Sequence, residues 1–178
     1  SDKKAIELYE MAAKRGHAAA QYNLGQCYEQ GMHGLTQSSI RAVEFYTLAA
    51  EQGITEAQYN LGCSYSIGEG IEQSDKKAIE FYEMAAEGGN ASAQFNLGIY
   101  YDEGKCGVTQ SLERAKELFT LAANQGHLSA QFNLGAIYVN GGSIERSFAK
   151  AREWWTKAAA QGHKEAIKQL KQLDTHGV

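Results

Sequence analysis

An alanine, an aromatic four residues on, an Ala-Ala pair and a glycine return five times along this chain. The phrase reads Ala5, Tyr9, Ala12-Ala13, Gly16, then Ala42, Tyr46, Ala49-Ala50, Gly53. The later copies open at Ala78, Ala115 and Ala151, with Tyr82, Phe119 and Trp155 as their aromatics. Successive openings are 37, 36, 37 and 36 residues apart. A fixed period of this size marks stacked supersecondary units whose core runs between neighbours. The expected architecture is therefore an all-α solenoid of about five antiparallel helix pairs, one array over residues 1–178.

A second phrase alternates with the first. It reads Ala20-Gln21-Tyr22-Asn23-Leu24-Gly25, Tyr28, Gly31, and recurs over 57–68, 93–104 and 130–141. Its apolar and small positions at i, i+4, i+5 and i+8 form one helical stripe, as do i, i+4, i+7 and i+8 of the first. Each unit thus holds a helix A (Ala20 type) and a helix B (Ala5 type). Both stop at glycine, which takes the left-handed conformation readily. Ser1, Ser38, Ser74, Ser111 and Ser147 stand four residues before the helix-B alanines, where a hydroxyl can accept from an orphaned backbone N–H. Gly25, Gly62, Gly98 and Gly135 fall inside helix A, where glycine costs roughly 1 kcal/mol relative to alanine. Their shared register calls for a close approach, with a helix-B aromatic such as Tyr46 or Trp155 as the guest.

A longer repeat overlies the short one. Residues 1–68 aligned on 74–141 share 41 of 68 positions, so the array reads as a duplicated pair of units. The A-to-B loops after Gly31 and Gly104 are one residue longer than those after Gly68 and Gly141. After Gly162 the A phrase decays, Lys171 replaces its glycine, and residues 163–174 read as a polar end cap. A lone helix B at the N-terminal edge suggests an excised fragment.

Net charge is −4 with a pI near 5.7 and no basic run, which argues against nucleic acid as partner. No apolar run reaches the roughly 18 residues of a membrane helix, so no membrane insertion is expected. Cys27, Cys63 and Cys106 share no repeat position, giving no disulfide framework and favouring a reducing, cytoplasmic setting over a secretory one. The triplet Asn90-Ala91-Ser92 is close to a chance match.

The strings AQYNLGQCYEQG and SDKKAIEFYEMAAEGG resemble the Sel-1-like repeat, a branch of the tetratricopeptide superfamily. That family's pattern is matched by Ala57, Leu61, Gly62, Tyr65, Gly68, Gly70, Lys77, Ala78, Phe81, Tyr82, Ala85, Ala86 and Gly89. Departures lie in the loops: Gly31 and Gly34 are three apart rather than two, Gly141 and Gly142 are adjacent, and glutamine or serine mostly replaces the loop aspartate. The paired cysteines of the family's disulfide-bridged branch are missing. The resemblance implies a right-handed superhelix acting as an adaptor or scaffold in protein complexes, without cofactors.

It also implies that helix A lines a concave face. The outward stripe would begin with Tyr22, Tyr59, Phe95 and Phe132, followed by Gln26, Cys63, Ile99 and Ala136, and by Glu29, Ser66, Asp102 and Val139. An aromatic row suits an extended or helical peptide because rings give large contact area at low entropic cost; the same rings could instead pack between repeats. Asn23, Asn60, Asn96 and Asn133 share one helix-A position and read either as structural hydrogen bonds or as contacts to a ligand backbone. The function expected is a non-enzymatic scaffold holding a protein or peptide segment in that groove; the alternative is a structural spacer or self-assembling array. A more remote alternative is a hydrolase using a Ser-x-x-Lys tetrad (Ser1–Lys4, Ser74–Lys77 or Ser147–Lys150). Recurrence of the tetrad in register favours a capping serine. The base within it, Lys77 and its counterparts, is expected to pair with a helix-A carboxylate such as Glu29 or Glu103. His17, His127 and His163 hold equivalent turn positions a repeat apart, too far to converge on one metal ion.

Overall fold

The computed structural model describes residues 2–176. Among these are ten α-helices of 13 residues each and no strand. They fall into two compact units, divided after Asn90. The first holds α1 (Asp2–Lys14), α2 (Ala18–Gln30), α3 (Ser39–Glu51), α4 (Thr55–Ile67) and α5 (Asp75–Glu87). The second holds α6 (Ala91–Glu103), α7 (Leu112–Asn124), α8 (Leu128–Asn140), α9 (Phe148–Ala160) and α10 (Lys164–His176). Odd-numbered helices are type B and even-numbered ones type A, as the two phrases require. The fold is an all-α helical-repeat array.

Serine starts each helix B where expected. Ser38, Ser74, Ser111 and Ser147 accept from the backbone N–H of Arg41, Lys77, Arg114 and Lys150 at 3.2–3.4 Å; Ser1 lies outside the described residues. Helix B stops through paired reverse bonds: the Gly53 N–H donates to the Ala50 carbonyl and the Ile54 N–H to that of Ala49, around Gly53 at φ +85°.

Packing within an A–B hairpin rests on the helix-A glycines. A methyl group on Gly25 would lie 2.7 Å from the Tyr46 ring, one on Gly62 2.8 Å from Tyr82, and one on Gly98 2.7 Å from Phe119. At Gly135 it would collide with Trp155. Those rings are buried, Tyr46 and Phe119 completely, between small alanines and Leu24, Leu61 or Leu134. The expected guest is the observed one.

Glutamines close the A-to-B turns. Gln37, Gln73 and Gln110 donate side-chain N–H to the carbonyls of Glu29, Ser66 and Asp102 in the last turn of the preceding helix A. Glutamine therefore caps an otherwise orphaned carbonyl. In the two longer loops the extra residue, His33 or Cys106, sits at φ +55° or +57°, just before a glycine of positive φ.

Candidate protein-binding face

Tyr22 and Tyr59 in the first unit, and Phe95 and Phe132 in the second, are all half-buried. Each leans on the buried helix-B aromatic of its own hairpin. Tyr22 lies 5.9 Å from Tyr46 and Tyr59 5.9 Å from Tyr82; Phe95 lies 5.7 Å from Phe119 and Phe132 6.2 Å from Trp155. These offset and tilted arrangements are favourable for rings in their own right. The row thus packs against the core and leaves part of each ring uncovered. Gln26, Glu29, Cys63, Ser66, Ile99 and Asp102 beside it are also half-buried.

Two acidic members of the row have distinct surroundings. The Glu29 carboxylate accepts from the Tyr46 hydroxyl at 2.9 Å. Burial, followed by that carboxylate, pushes the Tyr46 phenol well above its ordinary range. Partial burial, with Glu103 beside it, raises the Asp102 carboxyl. Gln26 donates to the Tyr22 hydroxyl at 2.9 Å, and Cys63 accepts from that of Tyr82 at 3.3 Å. Of the asparagines, Asn60 hydrogen-bonds the Tyr46 hydroxyl, reaching from α4 to α3; Asn23, Asn96 and Asn133 are half-buried at the same register.

Among the described contacts, Arg41, Lys77, Arg114 and Lys150 do not meet a helix-A carboxylate. Lys77 Nζ lies 5.0 Å from the centre of the Tyr65 ring, and Lys150 Nζ 5.1 Å from that of Tyr138. Arg41 covers Tyr28 and Phe45, 5.4 Å from each, while pairing with Glu44 at 2.7 Å. The reason is geometric: Glu29 is held by Tyr46 and Glu103 pairs with Lys105, whereas the helix-A tyrosine offers its face to each base. Ser74 caps the Lys77 amide while the Lys77 side chain runs to Tyr65, so the tetrad is a cap joined to a cation–ring contact.

The turn histidines have a role of their own. The Nδ1 atoms of His127 and His163 accept from the backbone N–H of Ala130 and Ala166 at 3.3 and 3.2 Å. Their rings stack on Phe95 and Phe132 at 4.6 and 4.5 Å. Burial lowers the pKa of His127.

Sequence reasoning missed a buried amide at every helix A from α2 to α8. Gln21, Gln58, Gln94 and Gln131 are the buried polar side chains of the described core. Gln21, Gln58 and Gln131 donate to the carbonyls of Ala13, Ala50 and Ala123 on the preceding helix B. Gln21, Gln94 and Gln131 accept from Gln52, Gln125 and Gln161 at the end of the following one, at 2.6–2.9 Å. The signal was available: glutamine follows the alanine in every A phrase from Ala20 to Ala130.

Comparison with known proteins matches the Sel1 repeat to residues 1–17, 18–54, 55–90, 91–127 and 128–163. A protective antigen present in uropathogenic Escherichia coli strains, displaying an SLR fold, is 38% identical with a TM-score of 0.91, covering 97% of this chain and 37% of its own. A Sel1 repeat protein from Oxalobacter formigenes is 33% identical with a TM-score of 0.83, covering 94% and 66%. Helicobacter pylori cysteine rich protein B, 20% identical with a TM-score of 0.58 over 73% of this chain and 92% of its own, shares the fold. The chain therefore spans about a third and two thirds of the first two relatives. No match to a curated protein sequence was found.

Proposed function

Because this chain belongs to the Sel1 repeat family, whose members generally mediate protein–protein interaction and are generally non-catalytic, we propose that it is a scaffold that binds a peptide or protein segment along the helix-A face of its units. One observation carries the reading: every helix A from α2 to α8 keeps an aromatic partly uncovered at the same register. The residues around that ring differ in every repeat, as a surface fitted to one partner requires. In the first unit they are polar, Gln26 with Glu29 and Cys63 with Ser66; in the second, Ile99 stands beside Asp102. A segment laid on such a face gains ring contact without freezing flexible side chains.

The rings themselves are poor targets for mutation because they brace the buried aromatics. Selection of random peptides on the immobilised chain, followed by NMR shift mapping of an enriched peptide, tests the reading directly. Shifts concentrated on the helix-A face of a unit, at Tyr22, Gln26 and Tyr59 of the first or at Phe95, Ile99 and Phe132 of the second, with binding weakened by Gln26→Ala or Ile99→Ala respectively, are the expected result. Shifts confined to helix-B residues, or no enrichment at all, would overturn it and favour a spacer role for the array.

A further inference from the structure

We propose that the outward face of α3 and α5 in the first unit is a second docking surface, fitted to a cationic amphipathic helix of another protein. The proposal is independent of the helix-A reading. Its first support is an exposed apolar register. Leu48 on α3 and Met84 on α5 occupy the same helix-B position and are 43% and 45% exposed. Isolated exposed aliphatics are ordinary; recurrence of a large one at one register of two helices of the same unit, both packed on α4, marks a surface.

Charge decides the occupant. Glu44 and Glu51 stand four before and three after Leu48; Glu80 and Glu87 stand likewise around Met84, with Glu83 adjacent. These spacings place each aliphatic side chain between two carboxylates on one helix face. No lysine or arginine follows Arg41 in α3 or Lys77 in α5. Arg41 is engaged by Glu44 and the Tyr28 and Phe45 rings, Lys77 by Tyr65, and Lys76 by Glu80 at 4.0 Å. Lys14 of α1 lines the cleft beside Leu48, where Glu51, Glu83 and Glu87 outnumber it.

A second observation is a broken local rule. Glu51 and Glu87 are the last residues of α3 and α5, where a carboxylate opposes the helix dipole. The corresponding residues of α1, α7 and α9 are Lys14, Asn124 and Ala160. A partner's lysines or arginines beside Glu51 and Glu87 would answer both the carboxylates and the helix ends. The same field repels nucleic acid and anionic membrane surfaces, leaving a basic protein segment with an aliphatic stripe as the complementary ligand.

The probe is a fluorescent helical peptide of about 18 residues built from leucine and lysine in amphipathic register, beside its leucine–glutamate counterpart. Anisotropy with the whole chain should show binding of the lysine peptide alone, weakening as salt rises. A Glu51→Gln, Glu87→Gln variant should weaken it about tenfold, as should Leu48→Ser with Met84→Ser, while Leu121→Ser on α7 leaves it unchanged. Circular dichroism verifies each fold, and the charge-neutral variant is expected to be at least as stable as the parent. Equal binding of both peptides, or undiminished binding by the Glu51, Glu87 variant, would overturn the proposal. So would a concentration-dependent dimer of the unliganded chain that Leu48→Ser with Met84→Ser abolishes, because the occupant would then be a second copy.

Discussion

At Gly25, Gly62, Gly98 and Gly135 the absent side chain is space already filled by a neighbour's ring. The propensity cost of glycine inside a helix is about 1 kcal/mol, and burial of a whole Tyr, Phe or Trp side chain against the backbone outweighs it. Alanine, the best helix former, should therefore destabilise here. In Gly98→Ala the new methyl would meet three atoms of a completely buried Phe119. The expected cost is about 1–3 kcal/mol, the range for overpacking a dense core. Urea unfolding measures it, and Gly98→Ala combined with Phe119→Leu should cost less than the two single changes summed. A stabilised Gly98→Ala would mean that propensity, not the ring, governs the position.

Helix ends show how one element type is built differently along the array. Every described helix B from α3 onward begins at a serine, while the helix-A starts vary. α8 and α10 use a histidine Nδ1 as acceptor, whereas His17 before α2 and Ile54 before α4 make no side-chain cap bond. An Nδ1 that accepts from a backbone N–H must be unprotonated, so the cap exists only in neutral histidine. Burial holds the His127 pKa below its ordinary value. The sign follows: the neutral form is favoured in the folded state, so this contribution is full above about pH 6.5, the unfolded value. It is lost as the pH falls through the lower folded value. Stability of the parent should therefore drop more steeply between about pH 7 and 5 than that of His127→Asn, whose amide caps at either pH. Parallel thermal melts across that range test it; parallel pH profiles would show that the cap carries no linkage.

Over the whole molecule, what was legible in the sequence is what recurs in register. Period, helix alternation, serine caps and glycine-to-ring packing each appear several times in equivalent places, so chance agreement was excluded by repetition. The direction of Lys77 was not legible, because a cation beside a tyrosine face and one beside a carboxylate leave the same composition. Nor was the degree of exposure of Tyr22 or Phe95, which depends on how far one helix covers the next. The buried glutamines were visible but not weighed, since a polar residue in a helix ordinarily reads as solvated. They matter because the stability of a repeat array is a sum of unit and interface terms. Gln131 on α8 donates to the Ala123 carbonyl at the end of α7 and accepts from Gln161 beyond α9, so one side chain joins three helices. Gln131→Leu removes one of the two bonds to the Ala123 carbonyl, which keeps the Gly126 N–H, and one of the two made by the Gln161 amide, which keeps the Gly126 carbonyl, at about 1–3 kcal/mol for the two lost bonds. The damage should be local. Amide exchange in α8, α9 and α10 is expected to speed up by about tenfold or more, with α6 and the first turns of α7 little changed. Trp154 and Trp155, both on α9 and the chain's only tryptophans, give an independent optical readout of that loosening. A uniform loss of protection from α6 to α10 would instead show that the second unit opens as one piece, with the glutamine contributing stability but no joint.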